Sequence, residues 1–278
     1  MHALTPNQKS ISDAFVSARR KAVGLPEYPG TLPGSMAEGY EIQDYSIARW
    51  PDAVAGWKIG LVPPAYREAV GAERLVGPVF SGLVHSHVEG ELHDMPVFAD
   101  GFAAVEAEFI IKLGRDVPVG TQITPELARD VTASLHVGVE IASSPFPGIN
   151  DLGPICVITD FGNNYGVILG PEIEGWRTRD LTDMPAKVEI NGETVGETTA
   201  AALPGGPLGA LEFILRLMQV RGIDLPAGTL ISTGAVTGVH QAEVGAKSRV
   251  SFGADGAFDL VLSPLSPMAE SGSTAANG

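Results

Sequence analysis

The sequence is short of cysteine, of basic charge and of long apolar runs. Its single cysteine, Cys156, rules out an internal disulfide framework. Cys156 stands in an apolar run and reads as a small core residue. Lysine and arginine together number 18 against 33 acidic residues, a formal net charge of −15. No Lys/Arg cluster offsets that charge, which argues against a nucleic-acid partner. No apolar stretch reaches the roughly 20 residues of a membrane span, so no membrane partner is expected. The start, Met1 to Lys9, lacks the basic residues and apolar core of a signal peptide, and a cytoplasmic location is the default expectation. Ser143-Ser144 lies outside any G-x-S-x-G elbow, and Gly205-Gly206 is not followed by the Lys-Ser/Thr of a phosphate loop.

What is present falls into two textures. Residues 8–22 carry Ile11, Ala14, Phe15 and Ala18 at helical spacing and are stopped by Gly24 and Pro26. A second helix is expected over 35–50, a strand over 53–59, a helix over 64–70 and a loop over 71–80. From residue 83 onward, short apolar segments separated by turn signals predict strands at 83–86, 103–112, 134–141, 155–160, 167–169, 186–190, 194–198, 229–232, 249–252 and 257–262. Asn191-Gly192 and Asp255-Gly256 each lie between two such segments, as two-residue hairpin turns do. Thr124-Pro125-Glu126 opens a short helix, and Pro207 to Val220 has the apolar spacing of another. The expected organisation is a helical N-terminal region (1–80), a β-rich catalytic domain (81–263) and a disordered Ser/Pro/Ala/Gly-rich tail (264–278).

Three carboxylates carry the chemical interest. Glu106 and Glu108 stand two apart in Val105-Glu-Ala-Glu-Phe-Ile-Ile-Lys112, so a strand places both on one face. Two like charges side by side are costly unless solvent or a cation screens them. A wet strand face satisfies that condition, but Ile110 continues the same face as apolar. Glu140 ends the apolar stretch Leu135-His-Val-Gly-Val-Glu140 and needs a partner if it is buried. Three carboxylates make an oxygen-rich site suited to Mg²⁺ or Mn²⁺, and no His/Cys spacing favours zinc. In so acidic a chain, a bound divalent cation would also supply the positive charge that an anionic substrate needs. Lys58, in Gly56-Trp-Lys-Ile-Gly60, is either an edge lysine or a buried cation facing an anion. His85, His87 and His93 form either a metal tract or part of a surface loop. Thr233-Gly234 places a hydroxyl and free backbone N–H groups at a strand end, as a turn or an anion contact would.

Taken in order, Tyr40-Glu-Ile-Gln43, Gly56-Trp-Lys-Ile-Gly60, Val105-Glu-Ala-Glu108, Val139-Glu-Ile141, Val167-Ile-Leu-Gly170, Asn191-Gly192, Pro207-Leu-Gly209 and the segment 230–234 resemble one known pattern. It is that of the 2-keto-4-pentenoate hydratase / 4-oxalocrotonate decarboxylase branch of the fumarylacetoacetate hydrolase superfamily. The resemblance implies an α+β fold, a mixed β-sandwich-like roll with a smaller helical N-terminal region, in a homo-oligomer. It implies a metal held by Glu106, Glu108 and Glu140, with Lys58 facing the carboxylate or 2-oxo group of a small 2-oxo or 2-hydroxydienoic acid. Ser143, Thr233 and Gly234 are candidate substrate contacts. The expected activity is a hydratase acting in meta-cleavage catabolism of aromatics. A decarboxylase, an acylpyruvate-type C–C hydrolase and a non-catalytic metal-binding protein are the alternatives. The chain departs from the pattern at Gly77-Pro-Val-Phe-Ser81-Gly82, where the family carries an acidic pair, and at Ala142-Ser143-Ser144, in place of Asp-Ser-Arg. With that acid missing, His85 or His87 is the expected proton carrier, with metal-bound water as the alternative.

Overall fold

The computed structural model describes residues 3–269. Helix α1 (Pro6–Lys21) begins at a reciprocal cap, in which Thr5 and Gln8 each accept the other's backbone N–H through a side chain. Then follow α2 (Met36–Ile47), β1 (Val54–Leu61), α3 (Pro64–Val70), β2 (Arg74–Phe80), β3 (Val84–Ser86), β4 (Leu92–Val97) and β5 (Phe102–Leu113). Next are α4 (Pro125–Val131), β6 (Thr132–Ser144), α5 (Pro154–Thr159), β7 (Asn164–Glu172), β8 (Pro185–Ile190) and β9 (Glu193–Thr199). The order ends with α6 (Gly206–Arg221), β10 (Leu230–Ser232), β11 (His240–Gln241), β12 (Lys247–Ser251) and β13 (Ala257–Pro264).

The strands make two mixed sheets. The larger runs β2-β1-β10-β5-β6-β7-β3, with β11 also paired to β5; the smaller runs β4-β13-β12-β8-β9. Alternation along β5 gives its two faces different neighbours. Val105, Ala107, Phe109 and Ile111 join the main core with Val188, Val250 and Phe258 of the smaller sheet and with Phe252, which follows β12. The Phe109 and Phe252 rings meet edge to face at 5.3 Å. The opposite face presents Glu106, Glu108 and Ile110. There Ile110 packs with Val79, Val167 and Leu230, side chains from β2, β7 and β10. Strands well apart in the sheet order meet at one cluster because the larger sheet curls, and the carboxylates lie inside the curl.

Several elements depart from expectation for identifiable reasons. Residues 74–80 form a strand rather than a loop. Pro78 is tolerated because β2 is a sheet edge. Strand β4 had no strong apolar pattern, yet it pairs in parallel with β13. Residues 154–159 form a helix although their β-branched run predicts a strand. Gly153 at φ +83° and Pro154 start the helix, and Gly39 of α2 leaves room for Ile158. Asn191 and Gly192 do make a tight hairpin, both with positive φ (+52° and +86°). The β12–β13 connection instead spans residues 252–256 and is not a two-residue turn. The larger sheet crosses the division expected at residue 80, since β1 and β2 belong to it. The first residues of the expected tail are held: Pro264 pairs with Val97, and the Leu265 and Met268 N–H groups donate to Val97 O and Arg20 O. The remainder, 270–278, lies outside the described residues. Among the described residues no helix is long and apolar enough to cross a membrane.

Candidate active site

The β5–β6 ladder brings the three glutamates together. Glu106 lies directly opposite Glu140, and Glu108 opposite Gly138. One oxygen of each carboxylate falls within 4.8 Å of the others. All three are buried. Lys58 enters from β1, and its Nζ stands 3.1 Å from Glu140 Oε2. Neighbouring groups orient the carboxylates. Asn164 Nδ2 donates to Glu140 Oε1 at 2.8 Å. Ser232 Oγ and the Gly234 N–H both donate to Glu108 Oε2. Glu108 Oε1 has no hydrogen-bond partner among the described residues.

The electrostatics of this cluster are unbalanced. Burial pushes the Glu106 carboxyl up to about 8, with the Glu140 charge adding and Lys58 opposing. Burial, and then Glu140 and Glu106, raise Glu108 well above the carboxylate range. Burial alone would lower the Lys58 ammonium, but Glu140, Glu106 and Glu108 together hold it above the usual lysine range. One ammonium cannot balance three buried carboxylates. A hard divalent cation with oxygen ligands would balance them, and the orphaned Glu108 oxygen suits that role. The residues present therefore fit Mg²⁺ or Mn²⁺.

A cavity of about 330 Å³ opens beside the cluster. Lys58, Glu106 and Asn163 give it a polar end; Leu61, Leu75, Pro154, Val157 and Val239, with Asn150, line the rest. Asn163 and Asn164 are delivered by the turn after α5. Arg19, on the buried face of α1, clamps that turn. It pairs with the Asp160 carboxylate through Nε and Nη2, and donates to Asn164 O at 3.0 Å and Ser143 O at 3.1 Å.

No family model matches the chain. A 4-oxalocrotonate decarboxylase of Pseudomonas putida is 30% identical over 222 residues, 73% of this chain and 76% of that protein. The chain belongs to the 2-keto-4-pentenoate hydratase / 4-oxalocrotonate decarboxylase family. A 2-keto-4-pentenoate hydratase of Burkholderia vietnamiensis (strain G4 / LMG 22486) is 28% identical over 185 residues, 66% of this chain and 69% of that protein. The solved 4-oxalocrotonate decarboxylase from Pseudomonas putida G7, complexed with magnesium and adipate, superposes with a TM-score of 0.77 at 21% identity. The match covers 94% of this chain and all of that one, and it shows that the expected superfamily fold is the one adopted.

Of the residues expected in this family member's site, the fold brings together Lys58, Glu106, Glu108, Glu140 and Gly234. The others lie elsewhere or are already engaged. Thr233 is buried, but its hydroxyl donates to Phe109 O and ties two strands. Ser143 Oγ donates to Phe102 O and accepts the Phe98 N–H, so both its directions are taken by backbone. The two histidines expected as proton carriers lie apart from the carboxylates. His85 pairs with Ile168 on the short edge strand β3, and neither His85 nor His87 lines the carboxylate cavity. His87 instead sits in a separate groove, with Nδ1 3.0 Å from His93 Nε2 and its ring 4.6 Å from that of Phe258. Sequence reasoning missed Arg19, Asn163, Asn164 and Ser232 as site residues. A signal existed for Arg19: it continues the Ile11, Phe15 stripe at four-residue spacing, a charge on an apolar face.

Proposed function

We propose that this enzyme-family member is a divalent-metal-dependent hydratase that adds water to a 2-hydroxy-2,4-dienoate of the 2-hydroxypenta-2,4-dienoate type. The supporting observation is the distribution of charge in the cavity. Among the described lining residues Lys58 is the only cation, and away from Lys58, Glu106 and Asn163 the walls are apolar apart from the Asn150 amide. A monoacid with a short hydrocarbon tail matches that distribution, whereas the distal carboxylate of an oxalocrotonate would find no second cation among the described lining residues, only Val157, Leu61, Val239 and the Asn150 amide. Mg²⁺ or Mn²⁺ held by Glu106, Glu108 and Glu140 would act as a Lewis acid toward a 2-oxo acid. Lys58 neutralises the substrate carboxylate and donates a hydrogen bond where negative charge develops on the 2-oxo oxygen. Ser232, Gly234 and Asn164 hold the glutamate oxygens in fixed orientations. The apolar walls exclude bulk water and receive the vinyl end.

The test is a product screen by mass spectrometry with 2-hydroxypenta-2,4-dienoate, 2-oxohex-3-enedioate and an acylpyruvate. Gain of water by the first substrate is expected to have the highest kcat/KM. Chelation should abolish it, and Mg²⁺ or Mn²⁺ should restore it. Faster loss of CO₂ from the second, or C–C cleavage of the third, would replace the hydratase reading.

A further inference from the structure

Asn163 is the cavity's buried polar side chain that the reading above leaves without a task; Asn150, also in the lining, is exposed. It is 3% exposed and lines the cavity with Lys58 and Glu106. Its Oδ1 has no hydrogen-bond donor among the described residues. A buried acceptor of this kind calls for an explanation, and a ligand's hydrogen is one. The adjacent amide does a different job: Asn164 Nδ2 supports Glu140, and its Oδ1 accepts the Gly166 N–H. The backbone that presents Asn163 is also strained. Phe161, Gly162 and Asn163 have φ of +53°, +68° and +62° in succession. The left-handed region is unfavourable for a residue as bulky as Phe, and such conformations persist where the surroundings impose them. The surroundings here are Trp50 and Phe80, which both pack edge-on against the Phe161 ring, and the Arg19 guanidinium 5.3 Å above it.

We infer that Asn163 holds the water molecule that adds to the substrate, accepting one of its hydrogens at Oδ1 and so turning an oxygen lone pair toward the reacting carbon. The inference rests on the hydratase reading. A carboxamide does not take up a proton near neutrality, so the role is to orient the water, not to deprotonate it. The reaction balances as follows. The dienol loses its O2 proton and gains one at C5, giving 2-oxopent-3-enoate. The water oxygen bonds to C4, and the C3=C4 electron pair moves toward the 2-oxo group. C3 then takes a proton as that pair returns. One water hydrogen stays on the new hydroxyl, the other passes to solvent, and the net change is addition of one H₂O.

Orientation of water matters to one half of this chemistry and not to the other, which gives a test. Asn163→Gly removes the amide and keeps a backbone that tolerates positive φ. Two assays are run on the Mg²⁺-loaded protein. One is hydration of 2-hydroxypenta-2,4-dienoate. The other is hydrogen–deuterium exchange at C3 of 2-oxopentanoate, followed by proton NMR; this analogue has no double bond to hydrate and reports enolisation alone. Hydration is expected to fall at least about tenfold while exchange stays within about twofold of wild type. Retained exchange also shows that the variant is folded; Asn163→Ala is read in the same way if the glycine variant does not fold. Unchanged hydration overturns the inference. So does an equal loss in both assays, which would make Asn163 a general substrate or structural contact. A wild-type protein that exchanges 2-oxopentanoate but does not hydrate the dienoate overturns the hydratase reading, and this inference with it.

Discussion

At the scale of single residues, Lys58 combines nearly complete burial with a charge maintained chiefly by Glu140, with Glu106 and Glu108 adding to it. Its pKa lies above the usual lysine range, so it is a fixed cation over the pH range of an ordinary assay and not a general base. Lys58→Met is expected to lower kcat/KM at least about tenfold, or about 1.4 kcal/mol of transition-state stabilisation. The wild-type pH profile of kcat/KM should show no basic limb from Lys58 below the ordinary lysine range. Unchanged kinetics in the methionine variant would reduce Lys58 to a structural partner of Glu140. Such residues were legible beforehand because a charge inside an apolar strand must have a partner. Asn163 was not, because a neutral amide beside Gly162 reads equally well as part of a turn.

At the scale of elements, the turn between α5 and β7 depends on how closely β2 approaches it. A Cβ on Gly77 would lie 2.2 Å from Phe161 O and 2.6 Å from the Gly162 Cα, both backbone atoms that cannot move aside independently. Gly77→Ala should therefore destabilise the fold by roughly 1–3 kcal/mol, as overpacking does. It should also lower kcat in the protein that remains folded, because the displaced turn carries Asn163 and Asn164. Chemical denaturation and kinetics on the same sample check both parts; a variant of wild-type stability and rate would show that the two segments are free to separate. The Gly77-Pro78 pair that makes this approach possible is also what made β2 read as a loop. Local propensity speaks against a strand there, and pairing with β1 outweighs it. The β-branched residues of α5 were misread for the complementary reason, since burial against α2 outweighs their strand preference.

At the scale of the whole molecule, the proposed metal site at the carboxylate cluster would couple metal binding to stability. Without a cation, the folded protein keeps Glu106 protonated up to about pH 8, whereas the ordinary value is 4.5. Between those values the folded state binds a proton that the unfolded state has lost, so stability falls as pH rises through the window. Mg²⁺ held by the proposed ligands would bind the deprotonated carboxylates and remove that penalty. The melting temperature of chelated protein should therefore fall from about pH 5 to about pH 8, with the gap between Mg²⁺-loaded and chelated samples widening over the same range. Differential scanning fluorimetry across pH measures it. A gap that stays constant or narrows would mean that the cluster is not the metal site.

The sequence by itself determined which side chains could hold a divalent cation. Period-two spacing places Glu106 and Glu108 on one strand face whatever the rest of the chain does, and an apolar strand makes Glu140 seek a partner. Hydrophobic periodicity and turn chemistry likewise set most helices and strands, because those preferences act over a few neighbouring residues. Which residues complete the site was decided only by the tertiary structure. The curl of the larger sheet carries Lys58 across to Glu140 and leaves His85 and His87 outside, while Arg19 reaches Asp160 from 141 positions away to set the turn bearing Asn163. Contacts over such separations follow from how whole elements pack, and no local pattern of residues encodes them.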